Sequence, residues 1–269
     1  MPARRRPRPV VVKLGGELLE EPAELRRIAR CLGRMAAREP LVVVHGGGRE
    51  VDADLARLRI QKQSVDGLRI TDAATLDVVV GILAGRVNTR VVAALGAAGT
   101  SAVGLTGADG RLVRVRRQRH YRAANGERVD LGFVGQPVGN GRPALLTQLC
   151  AAGHVPVVAS IGASATGQLF NVNADTLAGD LATRLDAKHL IIAGATAGVL
   201  DAAGRTIPSV DSTAIDALIA GGHASAGMIA KLLACRAARR GGVEAVAIVD
   251  GRRAKLDPSG GTAIAVRRR

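Results

Sequence analysis

The sequence predicts an α/β protein, a three-layer αβα sandwich on a mainly parallel central sheet, and three observations carry that prediction. Short, almost unbroken apolar runs such as Val10-Val11-Val12 and Leu41-Val42-Val43-Val44 read as strands buried on both faces. Between them, apolar residues recur at three- and four-residue intervals, the period of amphipathic helices. Strand and helix then alternate along the whole chain, the order of a parallel sheet covered on both sides.

Taken in order, residues 10–12 form a strand that ends at Lys13 and a Gly-Gly turn. Pro22 suits a first helical turn, and Leu25, Ile28, Ala29, Leu32, Met35 and Ala36 make one apolar stripe after it. Residues 41–44 form the second strand and run into His45-Gly46-Gly47-Gly48. Thr71 reads as an N-cap with Asp72 in the first turn; the helix continues through Leu76, Val79, Val80 and Leu83, resumes over Val87, Val91, Val92 and Leu95, and closes at Gly99. Residues 101–105 are a third strand. The alternation Leu112-Val113-Arg114-Val115, in a polar stretch over 109–130, predicts a surface hairpin. A helix over 143–152 and a strand over 155–159 follow, then Gln168-Leu169-Phe170-Asn171 and an Ala-rich helix over 174–185. The rest reads as strand 189–193, helices 211–220 and 227–240, and strand 243–249. No linker interrupts this order, so the expectation is one domain over 1–269, with an N-terminal lobe of about 1–165 and a C-terminal lobe of about 166–269.

With 269 residues, 47% of them hydrophobic, the chain is long enough for a sizeable core. A net charge of +15 favours anionic partners, yet the arginines are scattered, with short clusters at Arg4-Arg5-Arg6, Arg116-Arg117, Arg239-Arg240 and Arg267-Arg268-Arg269. Such clusters more often mark solvated faces than a binding stripe. Tyr121, Phe133 and Phe170 are the only aromatics, which leaves no stacking platform for single-stranded nucleic acid, and no nucleic-acid partner is expected. Cys31, Cys150 and Cys235 are too widely spaced for a disulfide framework or a zinc cluster and fit a reducing cytoplasm. The basic start of the chain lacks the apolar region of a signal peptide, and no apolar run approaches the length of a membrane span, so neither membrane nor export is expected.

The chemistry must come from strand ends. No stretch has the Walker A spacing or a protein-kinase catalytic loop. Gly15-Gly16 and Gly46-Gly47-Gly48 each follow a strand and precede a helix, where bare backbone N–H groups and the helix dipole favour an anion. Either turn alone is more often a tight connection than a site. Lys13 sits at the carboxyl end of the first strand, where ligands gather in open α/β sheets. Asn171-Val172-Asn173-Ala174-Asp175 places two amides and a carboxylate where a strand gives way to a helix. Lys231 lies one turn into a later helix, after Gly227. Taken singly, Lys231 reads equally as the polar edge of that helix, Asp175 as a first-turn acid, Arg69 as a surface arginine and His45 as a packing residue.

In combination, the chain resembles the amino acid kinase family, and within it the branch acting on N-acetylglutamate. The resembling stretches are Val12-Lys13-Leu14-Gly15-Gly16, Val44-His45-Gly46-Gly47-Gly48, Gly67-Leu68-Arg69-Ile70-Thr71, Asp130-Leu131-Gly132-Phe133-Val134-Gly135, Asn171-Val172-Asn173-Ala174-Asp175 and Gly227-Met228-Ile229-Ala230-Lys231, in family order over nearly the whole chain. The resemblance implies a carbamate kinase-like fold and ATP-dependent phosphorylation of the γ-carboxylate of N-acetyl-L-glutamate, the second step of arginine synthesis. Mg²⁺ would be carried largely by the nucleotide phosphates. Lys13 and Lys231 would flank the transferring phosphoryl group, with Asp175 orienting both. Gly47, Gly48, Arg69 and Asn171 would hold the acyl-amino acid, Arg69 as a bidentate clamp. Gly15, Gly16, Ala195, Thr196, Gly198, Val199, Leu200 and Gly227 would face the nucleotide. No general base is implied, because a carboxylate is already an ionised nucleophile.

Two departures fall on the nucleotide side: Ala195 stands where the family usually carries an Asp, and Ser225-Ala226 precede Gly227 where a polar Thr-Asp or a Gly-Gly pair is common. Rival readings are a kinase for glutamate or aminoadipate attached to an acidic carrier protein, which the positive charge would suit, and a non-catalytic amino-acid or nucleotide sensor on the same fold. Arginine-inhibited members of the family carry an extra N-terminal helix that builds hexamers. Pro2, Pro7 and Pro9 argue against a helix there, so the resemblance implies an arginine-insensitive homodimer.

Overall fold

The computed structural model describes residues 7–265 except 124, 125, 140, 142 and 223; the clusters Arg4-Arg5-Arg6 and Arg267-Arg268-Arg269, with Pro2, lie outside the described residues. The apolar runs become β1 (Val10–Leu14), β2 (Leu41–His45), β3 (Ala102–Thr106), β4 (Val155–Ala159), β5 (His189–Gly194), β6 (Ser209–Val210), β7 (Ala245–Asp250) and β8 (Thr262–Ile264). They form one eight-stranded sheet in the order β6-β8-β7-β5-β1-β2-β4-β3, parallel throughout except for the antiparallel β7–β8 pair. β1 thus lies near the middle of the sheet, between β5 and β2, and its carboxyl end is flanked on both sides.

Helices α1 (Pro22–Ala36), α2 (Gly48–Arg57), α3 (Ala73–Val80), α4 (Asn88–Ala97), α5 (Ala144–Ala151), α6 (Ala174–Arg184), α7 (Ser212–Ala220) and α8 (Ala226–Arg240) cover the two faces. Strand alternation decides which face each residue serves. Val10, Val12 and Leu14 join the core built with α1, α2 and the α3–α4 helix, whereas Val11 joins Leu177 and Leu181 of α6 and Leu232 of α8. Lys13 has the parity of Val11, so its side chain is directed to the layer of α6 and α8. These two faces make the three layers.

Several local details depart from expectation. The N-cap of α3 is Asp72, whose carboxylate accepts the Thr75 N–H; Thr71 is fully buried in a bridge to Gly132. Thr71 is committed to that bridge and its hydroxyl donates to the Arg69 carbonyl, which leaves the cap to the Asp72 carboxylate. Leu112, Val113 and Val115 are buried rather than on the surface, and the antiparallel pair formed there joins Val115–Arg117 to Gly135–Pro137. β6 and β8, at one edge of the sheet, were not expected; two and three residues are too few to show a period.

α3 and α4 are continuous through a π-helical segment, Gly81–Val87, which absorbs the step between the two apolar series. The resulting helix, Ala73–Ala97, has 25 residues, and an 18-residue stretch of it has a mean hydropathy of 1.6, so by length and composition it could cross a membrane although it holds no unbroken apolar run. Here Leu76, Val79, Ile82, Leu83, Val87, Val91 and Leu95 are buried, and all but Leu76 belong to the core on the α1 side of the sheet. The polar interruptions Asp77, Arg86 and Arg90 are why no long apolar run is visible in the sequence.

His45, at the end of β2, is fully buried; Asn88 donates to its Nε2 at 3.0 Å, and its Nδ1 lies 3.1 Å from the Gly46 carbonyl. Those contacts together require the neutral ring with its proton on Nδ1. Burial, with a smaller contribution from the charge of Arg90, lowers the His45 pKa to about 4 against a bond to Gly46 that raises it. The folded state therefore favours the neutral ring. Its stabilisation is fully present above pH 6.5 and lost as pH falls towards 4. Between pH 7.5 and 4.5 the wild type should lose about 2.5 kcal/mol more unfolding free energy than His45→Gln, read from urea titrations. Equal losses would remove His45 from the acid response.

Candidate active site

Above the carboxyl ends of β1 and β2 lies a cavity of about 710 Å³, lined by both glycine turns, by Lys13 and Asp175, and by Arg69 and Asn171. The two turns touch: a Cβ on Gly16 would stand 3.2 Å from the Gly47 Cα, and one on Gly47 would press on Leu83 of the π-helical segment at 2.9 Å. Only residues without a side chain let these backbones meet.

Lys13 and Asp175 are 6% and 5% exposed, and the Lys13 Nζ is 2.9 Å from Asp175 Oδ1. Asp175 is in the first turn of α6, where Asn173, left without a firm role by the sequence, is the N-cap: its side-chain oxygen accepts the N–H groups of Asp175 and Thr176, each at 3.0 Å. Capping fixes where the carboxylate points. Lys231 arrives from α8, with Nζ 3.8 Å from Asp175 Oδ2 and 3.4 Å from the Gly227 carbonyl. Gly179 is what lets α8 come so near, because a Cβ there would lie 3.1 Å from the Ala234 carbonyl. Two ammonium groups thus share one buried carboxylate at the edge of an anion-friendly cavity.

Arg69 ends a hairpin, Ser64–Val65 with Leu68–Arg69, whose turn holds Asp66 at φ 48° and Gly67 at φ 74°. The tip packs on the start of α8, where a Cβ at Gly67 would be 2.9 Å from that of Ala226. Arg69 is not free: it pairs with Asp52 of α2 and donates to the Gly48 carbonyl at 3.1 Å. Asn171 donates to the Thr71 hydroxyl at 3.2 Å, and that hydroxyl donates to the Arg69 carbonyl at 3.1 Å. Asp52 and the supporting role of Thr71 are what sequence reasoning missed, and Asn173, expected only as a support, is the cap of α6. An acid four residues past Gly48 on α2 was visible, but its partner depends on the hairpin's path.

The expected nucleotide residues are only partly gathered. Gly15 and Gly16 line the cavity, whereas Gly227 and residues 195–200 lie outside its walls, as does Lys231, expected to act on the transferring group. The turn after β5 is held from elsewhere: Val199 donates to the Thr262 hydroxyl at 2.8 Å, and Gly198, at φ 132°, leaves room for that hydroxyl. Val199 is buried and Leu200 is exposed. Ala195 donates to Glu17, a cavity residue the sequence did not single out.

A model of the amino acid kinase family matches residues 8–250. The chain belongs to the amino acid kinase family. Within it, the acetylglutamate kinase of Acidiphilium cryptum is 43% identical over 249 residues, covering 90% of this chain and 83% of that protein. The acetylglutamate kinase of Rhodospirillum rubrum is 44% identical over 90% of this chain and 80% of that protein. The amino acid kinase fold is also seen by superposition. N-acetylglutamate synthase from Neisseria gonorrhoeae, complexed with coenzyme A and N-acetyl-glutamate, has a TM-score of 0.79 at 24% identity over 96% of this chain and 59% of that one. Carbamate kinase from Giardia lamblia bound to AMP-PNP has a TM-score of 0.66 at 15% identity over 97% of this chain and 99% of that one. Both identities are low enough that these two structures speak for the fold alone.

Proposed function

We propose that the protein transfers the γ-phosphoryl group of ATP to the γ-carboxylate of N-acetyl-L-glutamate, giving an acyl phosphate in the second step of arginine synthesis. The observation that carries this reading is the Lys13–Asp175–Lys231 cluster beside two touching glycine turns. Two cations neutralise charge spread over the transferring group, and backbone N–H groups hold its oxygens. The acceptor needs no base, since its carboxylate is ionised, so positioning and charge neutralisation supply the rate. The nucleotide would reach the cluster from the side of Gly227 and residues 194–200, and the acyl-amino acid from the side of Arg69 and Asn171.

The site suits Mg²⁺ delivered on nucleotide phosphates. Among the described residues no group of three His, Cys, Asp or Glu side chains could cage a metal ion, and Asp175 is held by the lysines. When bound, the ion would add charge neutralisation on the phosphates.

ADP release that depends on free N-acetylglutamate, and not on glutamate, is the expected result with Mg-ATP. Activity only with an acidic carrier-bound substrate would favour the rival kinase. Arg69→Lys should raise the KM for N-acetylglutamate about tenfold with a smaller change in kcat, because an ammonium cannot reproduce the guanidinium fork. An unchanged KM would remove Arg69 from substrate binding. The free cysteines Cys31, Cys150 and Cys235 suit a reducing cytoplasm, and a homodimer is expected by light scattering.

A further inference from the structure

Glu17 stands where the turn after β1 meets the turn after β5. It occupies a short 3₁₀ turn, Gly16–Leu18, anchored by the fully buried Leu18 and Leu19, so its backbone is fixed. The carboxylate folds back over Gly15, where a Cβ would run into it, and its Oε1 accepts the Ala195 N–H at 3.0 Å. A Cβ on Gly194 would stand 3.3 Å from the same oxygen and 3.9 Å from Lys231 Cε, so the carboxylate and Lys231 flank Gly194 together.

The cavity is lined by three carboxylates, and the other two have different duties: Asp175 holds the lysines, and Asp66 accepts the Tyr121 hydroxyl at 3.0 Å on the substrate hairpin. Of the three, Glu17 is the one that reaches the turn after the neighbouring strand β5, one step beyond the backbone bond from the Gly15 N–H to the Ala193 carbonyl at 2.9 Å. A backbone N–H bound to a carboxylate makes a strong, short-range tie.

We infer that Glu17 is a positioning residue for the nucleotide: its carboxylate tethers the Gly194–Ala195 turn to the Gly15–Gly16 turn and sets the spacing between the phosphate-facing backbone and Lys231. The inference rests on the phosphoryl-transfer reading above, and its test separates the two.

Amide exchange at Ala195, followed by NMR on the ligand-free protein, reads the tether itself. Glu17→Ala should speed that exchange at least about tenfold and raise the Kd for Mg-ADP, measured by calorimetry, by about tenfold. The KM for N-acetylglutamate should stay within about twofold, and Glu17→Gln, which still offers an acceptor oxygen, should restore most of both effects. Unchanged exchange and Kd in Glu17→Ala would overturn the inference. So would tighter ADP binding, which would make the carboxylate a competitor of the phosphates, or a Glu17→Gln variant as weak as Glu17→Ala only in the presence of Mg²⁺, which would make it a metal ligand. If the wild type formed no acyl phosphate, the kinase reading would fail while the exchange result still decided the tether.

Discussion

Replacing Lys231 by alanine lowers turnover by at least about a hundredfold, about 2.7 kcal/mol of transition-state stabilisation, while thermal unfolding moves by only a few degrees. The two effects separate because of where Lys231 sits. Its side chain is 20% exposed and 3.8 Å from Asp175, so the ion pair is loose and contributes little to folding. Its charge matters when negative charge develops between the glycine turns. A preorganised cation is worth most there, since it needs no reorganisation at the moment of transfer. Steady-state kinetics beside a thermal melt makes the comparison. Near-normal turnover would take Lys231 out of the reaction.

Asp175→Ala should fail in both respects. The Lys13–Asp175 pair is almost fully buried, with both side chains 7% exposed, and removing one partner leaves an ammonium in the interior without its counter-charge. Breaking a buried pair of this kind costs about 3–5 kcal/mol, a fall in melting temperature of roughly 5–10 °C at this size. Turnover should fall by at least about a hundredfold as well, because both lysines lose the group that orients them. The double variant Lys13→Met with Asp175→Leu should regain most of the stability, since apolar residues of similar volume tolerate the site, and none of the turnover. A double variant that recovered activity would show the pair to be structural only.

How much of this could be read from the chain depends on the range of each signal. Lys13 was legible because a lysine closing an apolar run is a local event, and strand parity then fixes the face on which it meets α6. Asp175 was legible as an acid at a strand-to-helix junction. Thr71 was misread because Asp72 beside it is an equally good cap, and the choice between them depends on a bridge to Gly132, 61 residues away. Glu17, Asp52 and Asn88 carry no local signal: each looks like an ordinary polar residue near a turn or on a helix. Their roles come from Ala195, Arg69 and His45, which only the packed sheet and hairpins bring within hydrogen-bond reach. The Ala195 departure shows the same limit. A missing side chain is visible in the sequence, whereas a carboxylate reaching the same turn from Glu17 is not.

The most direct test of the central claim is to incubate the purified protein with Mg-ATP and N-acetyl-L-glutamate and trap the product with hydroxylamine. The account predicts hydroxamate that requires both substrates and falls at least about a hundredfold in Lys231→Ala. No hydroxamate from the wild type, with thermal stabilisation by both ligands intact, would contradict it and leave a binding protein on a kinase fold.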